Sequence, residues 1–142
     1  MTWATHLPVR AVRIARPTNQ LEKIATFYRD VVGLPELGRF EKHEGYSGVM
    51  IGLPDISYHL ELVSHEDGIP NIAPTREDFL VFYIDDQAAI EALVERLASH
   101  GYTPVEPENL YWAFGGVTYE DPDGYGLIFM NMQEHQRLLQ SR

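Results

Sequence analysis

The order strand, helix, three strands occurs twice in this chain, and that duplication constrains the fold more than any single motif does. In the first copy, Val9 to Ala15 is a loosely alternating, β-branched run that ends at Arg16 and Pro17, which reads as a strand. Asn19 with Glu22 three residues on fits a capping box, and Leu21, Ile24, Ala25, Tyr28, Val31 and Val32 recur at helical spacing until Gly33 stops them. Three short strands follow: GRFEKHE from Gly38, YSGVMIGL closed by Pro54 and Asp55, and SYHLELVS ending at Ser64. The stretch from His65 to Asp78, with two prolines and a glycine among polar residues, is a surface linker.

The second copy opens with FLVFYI, Phe79 to Ile84, an apolar and aromatic strand. Asp85 or Asp86 caps a helix that carries Ile90, Leu93, Val94 and Leu97 on one face and ends at His100 and Gly101. A short strand around Tyr102 to Glu106, the loop PENLYWAF, a strand GGVTYE, a turn DPDG and a last strand YGLIFMN complete it. The sequence therefore predicts one α+β domain of two tandem βαβββ modules, 9–64 and 79–132, joined by the linker 65–78 and followed by a tail, 133–142.

Composition narrows the chemistry. With 142 residues, 44% of them hydrophobic, the chain can bury roughly two thirds of its unfolded surface without metal or disulfide staples. The absence of cysteine removes thiol nucleophiles and thiolate metal sites. Eleven Lys and Arg against 21 Asp and Glu give a formal charge of −10, which repels nucleic-acid phosphates and anionic headgroups. No run has the length of a signal peptide or a membrane span, so the expectation is a cytoplasmic protein with neither nucleic acid nor membrane as partner.

Three stretches carry a resemblance: the first strand and helix ending in ATFYRDVVGL, the strand YHLELV, and the closing TYEDPDGYGLIFM. Through them the chain resembles the vicinal oxygen chelate superfamily, which includes glyoxalase I, extradiol dioxygenases and the fosfomycin- and bleomycin-resistance proteins. The resemblance spans nearly the whole chain and implies curved, half-open mixed sheets, a substrate or ligand held against their concave faces, and a homodimer. It also implies a metal site drawn from four inward positions, where relatives carry His or Gln, Glu, His and Glu. Here those positions fall on Arg13, Glu61, Phe79 and Ile128. Phe79 and Ile128 offer no lone pair, and Arg13 carries a fixed positive charge, so the inherited chelate is lost.

Two replacements suggest themselves. His59 and Glu61 lie two apart on one strand and so share a face; with His43 from an earlier strand they form an alternative ligand set for Zn, Ni, Mn or Fe. Alternatively Arg13 and Glu61, expected on neighbouring strands and one face, pair with each other where the metal stood. A site without metal gains affinity from apolar area, and Phe79, Tyr111, Trp112, Ile128 and Met130 are expected to supply it. Tyr111 and Trp112 stand out because both fall in a loop after Pro107. Gly115 and Gly116 are read as letting backbone pass close to another segment, and EDPDG as a turn. No nucleophile elbow and no glycine-rich phosphate loop is present.

The preferred reading is a metal-independent small-molecule binding protein of the glyoxalase and bleomycin-resistance type, taking an aromatic, neutral or cationic ligand. Arg13, His59 and Glu61 are its polar contacts. A lyase, isomerase or dioxygenase on a rearranged His/Glu metal site is the alternative, and a filled groove serving only as an interaction module is the third.

Overall fold

A computed structural model describes residues 8–140. The chain divides into two compact units, residues 1–29 with 33–70, and residues 30–32 with 71–142. In the first, β1 (Val12–Pro17) runs parallel to β4 (Tyr58–His65), and β4, β3 (Tyr46–Ile51) and β2 (Glu36–His43) are antiparallel neighbours, giving the order β1-β4-β3-β2. α1 (Leu21–Thr26) continues into a π-helical turn, Phe27–Val32, that closes on Gly33 with φ of 97°. Ile24, Ala25, Phe27 and Tyr28 of this segment are buried, as are Val49 and Ile51 of β3 and Leu60 and Leu62 of β4. Those strand residues are register partners, Val49 with Leu62 and Ile51 with Leu60, so they share the face that α1 covers.

Burial of aliphatic side chains at about 1.5–3 kcal/mol each fixes which face is inside, and the period of two turns every alternate residue to the other face. Glu36 anchors β2: Arg39 donates to it at 2.8 and 3.1 Å and Arg29 at 3.0 Å. The Arg39 guanidinium, then Arg29, hold its carboxyl below the usual carboxylate range. The β2–β3 hairpin turns on Glu44 and Gly45 with φ of 52° and 86°, and a Cβ at Gly45 would lie 2.6 Å from the His65 ring.

The capping box does not form. α1 has Gln20 as its N-cap without a side-chain bond, and the Thr18 hydroxyl accepts from the Gln20 N–H at 3.1 Å. Asn19 instead exchanges two hydrogen bonds with the backbone of Ile69, donating at 2.9 Å and accepting at 2.8 Å, and Glu22 pairs with Arg39. A reciprocal pair of bonds to a linker backbone satisfies both ends of the Asn amide, which one capping bond does not.

In the second unit β5 (Phe79–Ile84) is parallel to β7 (Gly126–Asn131), and β6 (Gly116–Glu120) is antiparallel to β7, in the order β5-β7-β6. α2 (Gln87–Ser99) is capped by Asp86, whose carboxylate accepts from the Ala88 N–H at 3.0 Å. Gln87 accepts a bond from Asn131, which sets α2 on the Leu127–Phe129–Asn131 face of the sheet. The strand expected around Tyr102 to Glu106 is reduced to one bridge, Val105 to Thr118. Pro104 and Pro107 flank it and remove the donors a longer ladder needs.

The tail is also different from the expectation: α3 (Met132–Gln140) occupies it. Asn131 caps this helix, accepting from the Glu134 N–H at 3.1 Å, and Arg137 donates to Glu134 at 2.6 and 3.0 Å. The loop before β6 holds a 3-10 turn, Leu110–Ala113, started by Asn109, which accepts from the Tyr111 N–H at 3.0 Å.

Tyr119 on β6 is wholly buried, and its hydroxyl has no hydrogen-bond partner. Burial pushes its phenol pKa up. Tyr119→Phe removes the unpaired group while keeping the ring, so urea melts are expected to show stability unchanged or raised by about 1 kcal/mol. A loss larger than that would mean the hydroxyl is satisfied by water.

Candidate functional site

On the first unit the face opposite α1 carries the polar candidates. Arg13 stands beside His59 and Ala15 beside Glu61 in the parallel register, so Arg13 reaches both acidic and imidazole side chains of β4. Its Nη1 donates to Glu61 Oε2 at 2.8 Å and its Nε to His59 Nε2 at 2.9 Å. A ring nitrogen that accepts is unprotonated, so His59 carries its proton on Nδ1 in this arrangement. The Arg13 side chain is 51% exposed and that of Glu61 14%, so the guanidinium is open to solvent while the carboxylate is largely covered. The pairing expected between Arg13 and Glu61 is therefore present, with His59 as a third member.

Around this trio the face is apolar. Glu61 pairs in register with Met50, Met50 with Gly38, and Gly48 with both Val63 and Phe40. The Phe40 ring fills the space a Cβ on Gly48 would take, and Met50 Cε comes within 3.1 Å of such an atom on Gly38. Phe40 and Met50 were not among the sequence candidates. Their signal was the two glycines at strand positions, which mark where a neighbouring side chain lies flat on the backbone.

The alternative ligand set does not assemble. His43 pairs with Tyr46, and Tyr46 with His65, which lies six residues along β4 from His59. At about 3.3 Å per residue that is roughly 20 Å away. Among the described residues no group of three or more His, Asp or Glu is placed to hold a metal. The donor chemistry says the same of His59 and Glu61: each already accepts from a guanidinium, whose charge repels a cation and which cannot become a ligand. These residues as arranged do not fit a divalent metal.

The aromatic candidates belong to the second unit. Phe79, Val81 and Tyr83 pair with Gly126, Ile128 and Met130, which pair in turn with Glu120, Thr118 and Gly116, so all nine share the face opposite α2. The Trp112 ring meets Phe79 edge to face at a centroid distance of 5.4 Å and Tyr111 at 5.0 Å. The Tyr111 hydroxyl bonds His135 Nδ1 at 3.0 Å, and that imidazole also lies against Tyr83, centroids 4.5 Å apart. Burial, then the neighbouring Tyr111, push the Tyr83 phenol up.

Ile128 and Met130, expected as an apolar floor for a ligand, are fully buried and present no surface to one in this arrangement. Gly115 and Gly116 do admit close approach: the Trp112 carbonyl sits against Gly116, and Glu134 Cβ lies 2.6 Å from where a Gly115 Cβ would be. His135 escaped notice because it falls in the presumed tail, although Asn131 followed by Glu134 is a helix-start signal.

Two βαβ-based units with mixed sheets, each with one face under a helix, define a protein of the glyoxalase fold, and the chain is a member of the vicinal oxygen chelate superfamily. Residues 12–63 match the YycE-like N-terminal domain and residues 77–131 the YycE-like C-terminal domain, and the chain belongs to the YycE-like family. YycE of Bacillus subtilis strain 168 is 47% identical over 120 residues, 84% of this chain and 86% of that protein. The crystal structure of a YycE protein from Bacillus subtilis superposes with a TM-score of 0.81 at 46% identity, covering 87% of this chain and 90% of the other. TnmS3, an antibiotic binding protein from a Streptomyces species, gives 0.64 at 25% identity over 89% and 98%. Glyoxalase I of Leishmania major gives 0.70 at 17% identity over 93% of each chain, a likeness of fold alone.

Proposed function

We propose that this protein binds and sequesters a flat aromatic small molecule, neutral or cationic, without a metal, and does so as a cytoplasmic homodimer. The observation that carries the reading is Arg13, whose guanidinium lies on the two donors, His59 and Glu61, that a chelate at this position would use. Held by two partners, Arg13 is a preorganised donor, and Glu61 keeps an oxygen for a ligand N–H or a cationic group. Phe40, Met50 and Val63 give the apolar surface beside them.

A net charge of −10 raises the local concentration of cations over polyanions. TnmS3 supports the class of function, because its fold is shared at 25% identity. The exposed Val12 and Ile14 on β1, an edge strand of its sheet, are a surface for a second copy.

The test has two arms. After equilibration with Zn, Ni, Mn or Fe(II) and dialysis, elemental analysis is expected to find far less than one metal per chain, in the native protein and in Glu61→Ala alike. Proflavine, a planar cation, is expected to bind saturably by its own absorbance, several-fold more weakly to Glu61→Ala. Near one metal per chain, lost in Glu61→Ala, would overturn the metal-free reading; no saturable proflavine binding would overturn the ligand class.

A further inference from the structure

The sheet face opposite the helix is open in the first unit and covered in the second. In the first, Arg13 and Ala15 are exposed and Glu61 and Met50 half-buried. In the second, the turn 109–114 lies over the sheet: Trp112 rests on Phe79 and its carbonyl on Gly116, and the floor of Ile128 and Met130 is buried.

The cover is poorly matched to a permanent structural role. Trp112 Nε1 and Thr118 Oγ1 are both buried with no hydrogen-bond partner, and Thr118 is only 9% exposed. Each such group loses its hydration with nothing to replace it, which a satisfied group does not. Meanwhile Leu110 and Phe114 of the same segment stand 58% and 59% exposed. A segment that buries a polar group unpaired and leaves two large apolar side chains in water is displaced from its best packing. It is one short 3-10 turn, and Gly115, at φ of 88°, joins it to β6.

We propose that residues 109–114 are a displaceable plug over a second ligand site. A flat aromatic compound bearing a carbonyl or ring-nitrogen acceptor takes the place of the Trp112 indole beside Phe79, on the face that carries Ile128 and Met130. It stacks against Phe79 and accepts a hydrogen bond from Thr118 Oγ1, and Trp112 Nε1 moves out to water. The proposal rests on the small-molecule reading above and adds the acceptor group, the site and the displacement.

Acridone, planar and neutral with one carbonyl, is the probe, and Trp3→Phe leaves Trp112 as the sole tryptophan of the two in the chain. On adding acridone, Trp112 emission is expected to shift to the red and its quenching by acrylamide to rise several-fold. Trp112→Ala is expected to bind acridone about tenfold or more tightly, since a competent state populated at roughly 1–10% no longer limits affinity. Thr118→Val is expected to weaken acridone about fivefold and leave anthracene, which lacks an acceptor, unchanged.

A blue shift with weaker binding to Trp112→Ala would overturn the plug and make Trp112 a stacking partner, with the ligand reading intact. Absence of acridone binding to both proteins also overturns the plug, while saturable proflavine binding weakened by Glu61→Ala would still support the first site. Should Trp112→Ala fail to fold, the emission shift in Trp3→Phe decides alone.

Discussion

Alanine in place of Asp121 is expected to destabilise the second unit by about 2 kcal/mol, the low end of the sum for two half-buried N–H groups that lose this acceptor at about 1–3 kcal/mol each. Asp121 is 5% exposed, and its Oδ1 accepts from the Asp123 N–H at 2.9 Å and the Tyr125 N–H at 3.0 Å. Its backbone adds two more bonds, donating to the Tyr125 carbonyl at 2.8 Å and accepting from the Gly124 N–H at 2.9 Å. Pro122 limits φ, and Gly124, at φ of 92°, takes a conformation other residues resist. The turn joins β6 to β7, the strands that carry Tyr119, Leu127, Ile128 and Phe129 into the core, so its loss is felt by the whole sheet. Asp121→Asn keeps an acceptor oxygen in place and is expected to lose about 1 kcal/mol. Paired urea melts measure the difference; equal losses in the two variants would mean the negative charge, not acceptor geometry, holds the turn.

This turn was legible in the sequence because its parts are local: Asp, Pro, Asp and Gly each restrict backbone within four residues. Helices α1 and α2 and most strands were legible for the same reason, through periodicity and β-branched runs. The meeting of Arg13 and Glu61 was legible at longer range because strand parity fixes faces once two strands are neighbours. What failed was decided elsewhere in the chain. Asn19 looks like a cap until Ile69, 50 residues on, offers two bonds instead of one. The run around Val105 is the local exception: Pro104 and Pro107 on either side of it limit its ladder to a single bridge. His43 looks like a ligand until the hairpin register carries it to the far end of the sheet from His59. Burial of Ile128 and Met130 could not be read from alternation, which assigns a face and says nothing of what lies on it.

Histidine in place of Arg13 is expected to raise affinity for Zn²⁺ about a hundredfold or more, an effect with two separable causes. The substitution removes a unit charge whose nitrogens sit 2.8 Å from Glu61 Oε2 and 2.9 Å from His59 Nε2, where repulsion of a cation amounts to several kcal/mol at an intermediate dielectric. It also places an imidazole directly opposite His59 in the β1–β4 register, beside the carboxylate of Glu61. Two His and one Glu make a three-ligand set that leaves Zn²⁺ a fourth position for water. Arg13→Gln removes the charge and adds only a weak oxygen donor, so the gap between the two variants isolates ligation. Competition against a chromophoric chelator gives the affinities, and Co²⁺ loaded into Arg13→His should show the intense visible bands of a four-coordinate site. Because imidazole binds metal only when neutral, affinity should climb as pH rises from about 6 to 8. If the native chain matched Arg13→His in affinity, the guanidinium would have to swing aside for the metal, and the metal-free reading would fall. If neither variant gained over the native chain, the strands would hold His59 and Glu61 too far apart to converge, and Arg13 would be a consequence of the lost site instead of its cause.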